Sequence, residues 1–312
     1  MNRYPVVLST LVASLIAFNA AAASVPRAYV QSSGDDANAG AGCTVNLPCR
    51  TFAVAVDTAD DGGEVVALDT EDFGTVEIKK SITIIGNGRA AIVTNGAATY
   101  GVSMVKSGIN VVLRGLDING AGIGHTGVLM KDGSSLQVEN CVIANFFVHG
   151  IDAANAGSVR VVDTVLTGNS NGARVHSGAS AHFARTRFLG NRGAGLGVAA
   201  DAGITTSVSV SDSVAAGNGI SGFDVSSSVA SGTARLVVTG SSASNSQYGF
   251  ASSASAGNAI LSVDRSSASH NAIGFAHIPG TGGVSVFESL GNNAVRQNGS
   301  ATLGAIVVVP SM

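Results

Sequence analysis

The chain has 312 residues, with 41 Gly, no Trp, 4 Tyr and 5 Pro; 45% of residues are apolar, 12% are charged and the net charge is −3. So little charge argues against disorder, and the balance of charge argues against a nucleic-acid footprint. Abundant small residues with few large aromatics suit a narrow, repetitive core with many turns.

The first segment reads as a targeting signal. MNRYP carries one Arg, VVLSTLVASLIAF is apolar, and NAAAAS supplies small residues with a cut after Ala23. This is the pattern of a secretory signal peptide over residues 1–23. The run is short for a membrane span, and no later stretch reaches about 18 apolar residues. No membrane span is therefore expected after cleavage. The mature protein is expected to be secreted, periplasmic or at the cell surface.

Residues 24–62 form the next unit. CTVNLPC places Cys43 and Cys49 six positions apart, with no His or third Cys nearby to complete a metal site. In an oxidising compartment this spacing predicts a local disulfide. Cys141 is left over and reads as a small buried residue, not a nucleophile. Thr51 can cap a short helix on which Phe52, Ala55, Val56 and Ala59 share one face. That helix would cover the open end of whatever follows.

From residue 63 to 312 the chain repeats itself. Gly recurs before an apolar residue at Gly127, Gly150, Gly172, Gly195, Gly222, Gly249 and Gly274, at intervals of 22 to 27 residues. A period in this range signals a solenoid. Each copy contains an alternating strand-type run, an Asn, the Gly and a second short strand. Leucine-rich, hexapeptide and calcium-binding nonapeptide signatures are missing. The expected fold is all-β: a right-handed parallel β-helix with rungs of about 22–27 residues.

Three columns follow from the phase. Asn145, Asn169, Asn191, Asn218, Asn245 and Asn271 are expected to turn the corner in left-handed backbone and to stack as an asparagine ladder. Cys141, Thr164, Thr186, Ser213, Ser266 and Ser289 read as a buried column of small side chains. Asn140, Asp163, Arg185, Asp212, Arg265 and Glu288 read as its outward neighbours. Phe223, Phe250 and Phe275 read as a stacked core ladder.

Counting from the repeated Gly, the second position holds Asp152 and Arg174, and the fourth holds Lys131 and His176. These alternate positions face outward. Lys131, Asp152, Arg174 and His176 are the candidate catalytic residues: a base, a carboxylate and two further cationic groups spread over three rungs. The competing reading is an ordinary solvated face with an Asp152–Arg174 pair. His125 and His149 lie close enough to extend the patch.

The opening of the mature chain resembles secreted proteins of the pectate-lyase-like superfamily. Tyr29, Val30, Gly34, Asp35, Asn38, Pro48, Thr51, Phe52, Ala55, Gly62 and Gly63 carry the resemblance, with KSITIIGNG at 80–88 resembling an early rung. It implies the β-helix fold and leaves activity open, because this fold hosts lyases, hydrolases and adhesins. The Asp-His lyase motif and the Asp-Asp hydrolase pair of that superfamily are missing from the rungs. The expected function is a non-catalytic extracellular binding or scaffold protein. The alternative is a polysaccharide lyase or hydrolase acting on an acidic glycan. The expected partner is an extracellular polysaccharide. No cofactor is expected, with Ca²⁺ entering only for a lyase.

Overall fold

A computed structural model describes residues 24–310. The signal-peptide reading of residues 1–23 lies outside them. The chain forms a right-handed parallel β-helix, in which each strand pairs in parallel with its counterpart one rung on.

The first rung is built around the predicted cap. Strand β1 (Arg27–Val30) pairs with β2 (Gly63–Ala67). Between them lies helix α1 (Phe52–Thr58), whose Thr51 hydroxyl accepts the Val54 N–H at 3.3 Å. Phe52, Ala55, Val56 and the C-cap Ala59 are all buried. The helix thus closes the apolar end of the solenoid, which would otherwise expose strand edges. Cys43 and Cys49 are joined as a disulfide with Cα atoms 5.0 Å apart.

One sheet carries the site. Its strands are β3 (Tyr100–Met104), β4 (Thr126–Met130), β5 (His149–Ala153), β6 (Asn171–Val175) and β7 (Leu196–Ala199). It continues through β8 (Ser221–Thr239), β9 (Tyr248–Asp264), β10 (Ile273–Pro279) and β11 (Ser300–Leu303). Val128, Ile151, Ala173, Leu196, Phe223, Phe250 and Phe275 stand in register on its inner side. Phe223 and Phe250 have ring centroids 5.3 Å apart, and Phe250 and Phe275 5.4 Å. Each such pair adds about 0.5–1.5 kcal/mol beyond area burial.

The repeated Gly has a steric cause. A Cβ on Gly195 would lie 2.6 Å from the Gly222 carbonyl oxygen, and one on Gly222 would lie 2.6 Å from that of Gly249. Each rung brings its backbone against the next at this corner, and only Gly permits it. Gly101 belongs to the same column, one rung before the first copy read from sequence.

The asparagine column divides into two. Asn169, Asn191 and Asn218 form a continuous buried ladder, with Asn169 Nδ2 donating to Asn191 Oδ1 at 3.2 Å and Asn191 Nδ2 to Asn218 Oδ1 at 2.9 Å. Asn271 continues it by donating to Asn298 Oδ1 at 3.0 Å. Asn145 and Asn245 are not in this ladder. They sit one residue earlier, in left-handed backbone with φ of 63° and 55°, beside Gly168, Gly190 and Gly217 of equivalent rungs. The ladder positions of their rungs are Phe146 and Ser246, whose N–H groups donate to Asn169 Oδ1 and Asn271 Oδ1. Adjacent positions at one corner both favour Asn, one for its φ and one for its amide.

A second ladder runs through the hydroxyl column. The Thr186, Ser213 and Ser241 N–H groups each donate to the next rung's hydroxyl at 3.1 Å. Ser241 completes this column. After Ser266 the acceptor is Asn293 Oδ1, not Ser289. Cys141 begins it, buried, with its Sγ donating to the Glu139 carbonyl at 3.3 Å. Burial pushes its thiol up to about 11, so thiolate chemistry is suppressed. Asn140, Asp163, Arg185, Asp212 and Arg265 occupy the left-handed corner beside it, with φ between 44° and 52°. Glu288 lies instead within a strand, opposite Ser262.

Candidate functional site

Alternation on β5 to β8 turns Asp152, Arg174, Gly197 and Asp224 outward at one register position on consecutive rungs. The inner residues Ile151, Ala173, Leu196 and Phe223 are buried beneath them. Two residues further along, His176 follows β6. Its N–H donates to the Ala153 carbonyl, as the Ala154 N–H does to Met130 and the Lys131 N–H to Met104.

Asp152 does not pair with Arg174. Its Oδ1 lies 3.1 Å from His176 Nε2, a diagonal contact onto the next rung. On the other ring edge, the Ser177 hydroxyl is 2.8 Å from His176 Nδ1, and Asp201 Oδ2 is 3.6 Å away. The hydrogen bond from Ser177 and the nearby imidazole hold the Asp201 carboxyl below its ordinary value. Arg174 is exposed and forms no ion pair among the described residues.

Lys131 stands apart. It occupies the column of Ala154 and His176, two rungs before the histidine, which corresponds to roughly 10 Å of stacking. The four candidates thus separate into a bonded Asp152–His176 pair, a free Arg174 beside it and a distant Lys131.

Gly197 leaves a gap in the outward column between Arg174 and Asp224. A Cβ there would meet only the Ala194 Cβ, at 4.0 Å. The resulting notch has a volume of about 160 Å³, with Asn171, Arg174, Asp224 and Ser226 as its polar lining. Burial pushes the Asp224 carboxyl up to about 6. Asp224 stands second after the repeated Gly222, the position of Asp152 and Arg174 in their own rungs, but nothing in the spacing shows that its neighbour's missing side chain creates a pocket. A larger corner groove of about 380 Å³ lies on another edge, around Asp212, Gly240 and Arg265. Its arginine is already bonded to Asp264 at 3.2 Å.

The other end of the same strands is aromatic and imidazole-rich. Tyr100, Thr126, His149 and Asn171 are in register. His149 is buried, 3.4 Å from Asn171 Nδ2, and desolvation lowers its pKa to about 4. Tyr100 packs edge-on against His125 at 5.3 Å, and Phe147 is 61% exposed one rung above. The sequence does not display this aromatic edge, because Tyr100, His125 and Phe147 come from three successive rungs. No group of three or more His, Cys, Asp or Glu side chains among the described residues converges as a set of metal ligands.

Three comparisons bear on this geometry. The family model described as "Right handed beta helix region" matches residues 100–298. The crystal structure of pectate lyase Pel9A is similar, with a TM-score of 0.58 and 16% identity over 87% of this chain and 79% of that one. At that identity the likeness shows the fold alone. The chain matches no curated protein sequence.

Proposed function

The chain belongs to the right-handed β-helix family, and on that premise we propose that it is an exported, non-catalytic protein that binds an acidic polysaccharide on the outer face of β5 to β8. The observation that carries this reading is the diagonal Asp152–His176 bond. It removes the carboxylate that would neutralise Arg174 and leaves a free guanidinium on the rim of the Gly197 notch. An arginine fork matches a carboxylate in shape and charge. The exposed Tyr100, at the start of β3, and Phe147, in the bend before β5, offer apolar surface for sugar rings at the other end of these strands.

Export is supported by the signal-like first 23 residues and by the Cys43–Cys49 disulfide. No helix among the described residues is long and apolar enough to cross a membrane. Lyase chemistry needs a base close to the cation that holds the uronate. Lys131 is two rungs from His176, and Asp152 is engaged by that histidine, which favours binding over elimination.

The test incubates the purified protein with pectate, alginate and glycosaminoglycans, with and without Ca²⁺. Binding without any rise in ultraviolet absorbance from unsaturated products supports the proposal. Unsaturated product overturns it in favour of a polysaccharide lyase.

A further inference from the structure

The Gly197 notch is more specific than a basic patch. Arg174 and Asp224 occupy the same outward position on β6 and β8, with only Gly197 between them on β7. Two rung spacings set their backbones roughly 10 Å apart, room for one carboxylate to touch both side chains. The walls are small: Ala194 on one side and Ala199 on the other. Asn171 Oδ1 is already fixed, accepting the Ala194 N–H at 2.9 Å, so this side chain holds the wall in place. The strands flanking Asp224 bring no charge against it, since β7 offers Gly197 and β9 offers Ala251. Beyond them, Arg174 faces it across the notch, while Asp201 is held by Ser177 and His176.

We infer that the notch is a proton-coupled subsite for a single uronate carboxylate, which Arg174 holds by its guanidinium while Asp224, in its neutral acid form, donates its O–H from the opposite wall. This rests on the acidic-polysaccharide reading above and adds how the site grips and when. An ionised Asp224 would repel the same carboxylate across the notch. Burial holds the Asp224 carboxyl at about 6, so the competent form dominates in mildly acidic surroundings and is a small minority above neutrality. Apparent affinity scales with the competent fraction, which predicts a loss of roughly 30-fold between pH 5.0 and pH 7.5. His149, the other strongly shifted group of this face, titrates at about 4 and stays neutral throughout that window.

The experiment is calorimetric titration of tri-galacturonate into the wild type and three variants at pH 5.0 and 7.5. The wild type is expected to bind roughly 30-fold more weakly at the higher pH. Asp224→Asn keeps a hydrogen-bond donor without the titration, and is expected to bind at both pH values as the wild type does at pH 5.0. Gly197→Val fills the notch and is expected to abolish binding at both, with an unchanged circular dichroism spectrum. An Asp224→Asn variant that retains the wild-type pH ratio overturns the proton-coupled subsite. If Arg174→Ala binds as well as wild type, or the wild type does not bind at all, the acidic-polysaccharide reading itself falls. If Arg174→Ala loses binding while Asp224→Asn leaves the pH ratio unchanged, only the inference about Asp224 falls.

Discussion

Asp152 Oδ1 and His176 Nε2 lie 3.1 Å apart, on neighbouring rungs and two strand positions from one another. The consequence falls on a third residue. Asp152 is the direct register neighbour of Arg174, and the diagonal bond keeps the two from neutralising each other. His176→Ala should release Asp152 to Arg174 and weaken binding of an anionic oligosaccharide several-fold, although His176 lies outside the notch. The double variant Asp152→Asn with His176→Ala should restore it. Calorimetry on the two proteins checks this; equal loss in both would make His176 a direct contact instead.

Gly195 and Gly197 are neighbours in sequence with opposite expectations. A methyl group on Gly195 would collide with the Gly222 carbonyl at 2.6 Å and crowd Phe188 Cβ at 2.9 Å. Gly195→Ala should therefore destabilise the fold by about 3 kcal/mol, as overpacking against a backbone that cannot yield does. Gly197→Ala meets only Ala194 and should unfold at the wild-type urea midpoint, within about 0.5 kcal/mol. Two equally destabilised variants would contradict the column assignment.

The two asparagine classes separate in the same way. Asn191 is buried, accepts from the Asn169 N–H and side-chain amide, and donates to the Leu166 carbonyl and Asn218. Asn191→Ala leaves several of these groups unpaired and should cost about 2–4 kcal/mol. Asn245 is exposed and contributes its left-handed backbone. Asn245→Ala should cost about 1 kcal/mol, and Asn245→Gly should cost nothing or stabilise slightly. Urea denaturation of the three variants measures the order, and a large loss in Asn245→Gly would return that residue to the ladder.

These contrasts show what the sequence could and could not carry. The rung period, the cap on Thr51, the Cys43–Cys49 bridge and the Phe223–Phe250–Phe275 stack follow from spacing, because each depends on which residues recur. The phase of the asparagine ladder does not. Asn145 and Asn245 share a residue type with the ladder members but sit one position early, where left-handed backbone also selects Asn. The outward position shared by Asp152 and Arg174 is legible from the repeat. Which side chains bond is not, because register fixes where a side chain begins, and rotamer and neighbour volume fix where it ends. The notch depends on Gly197, a residue whose contribution is empty space.

Two shifted groups on the site face, His149 and Asp224, pull the acid stability in opposite directions. Burial lowers His149 to about 4, so the unfolded chain takes up its proton first, near pH 6.5. The stability this residue contributes is complete above that value and is lost as pH falls towards 4, by about 3 kcal/mol at most. Asp224, raised to about 6, binds its proton more tightly when folded. Its contribution is lost as pH rises through 6 and is complete below its unfolded value. His149→Gln should flatten the fall in stability between pH 6.5 and 4, and Asp224→Asn should steepen it. Urea midpoints across that range provide the check, and parallel curves for all three proteins would contradict both assignments.

On the proposed function, Arg174, freed by the Asp152–His176 bond, holds an acidic polysaccharide that the protein does not cleave. The most direct measurement is calorimetric titration of tri-galacturonate at pH 5.0 into wild type and Arg174→Ala, with ultraviolet absorbance followed in the same samples. Saturable binding to the wild type, loss of that binding in Arg174→Ala, and flat absorbance in both are the expected results. Undiminished binding by Arg174→Ala, or absorbance that climbs with time in the wild type alone, would contradict the proposed function.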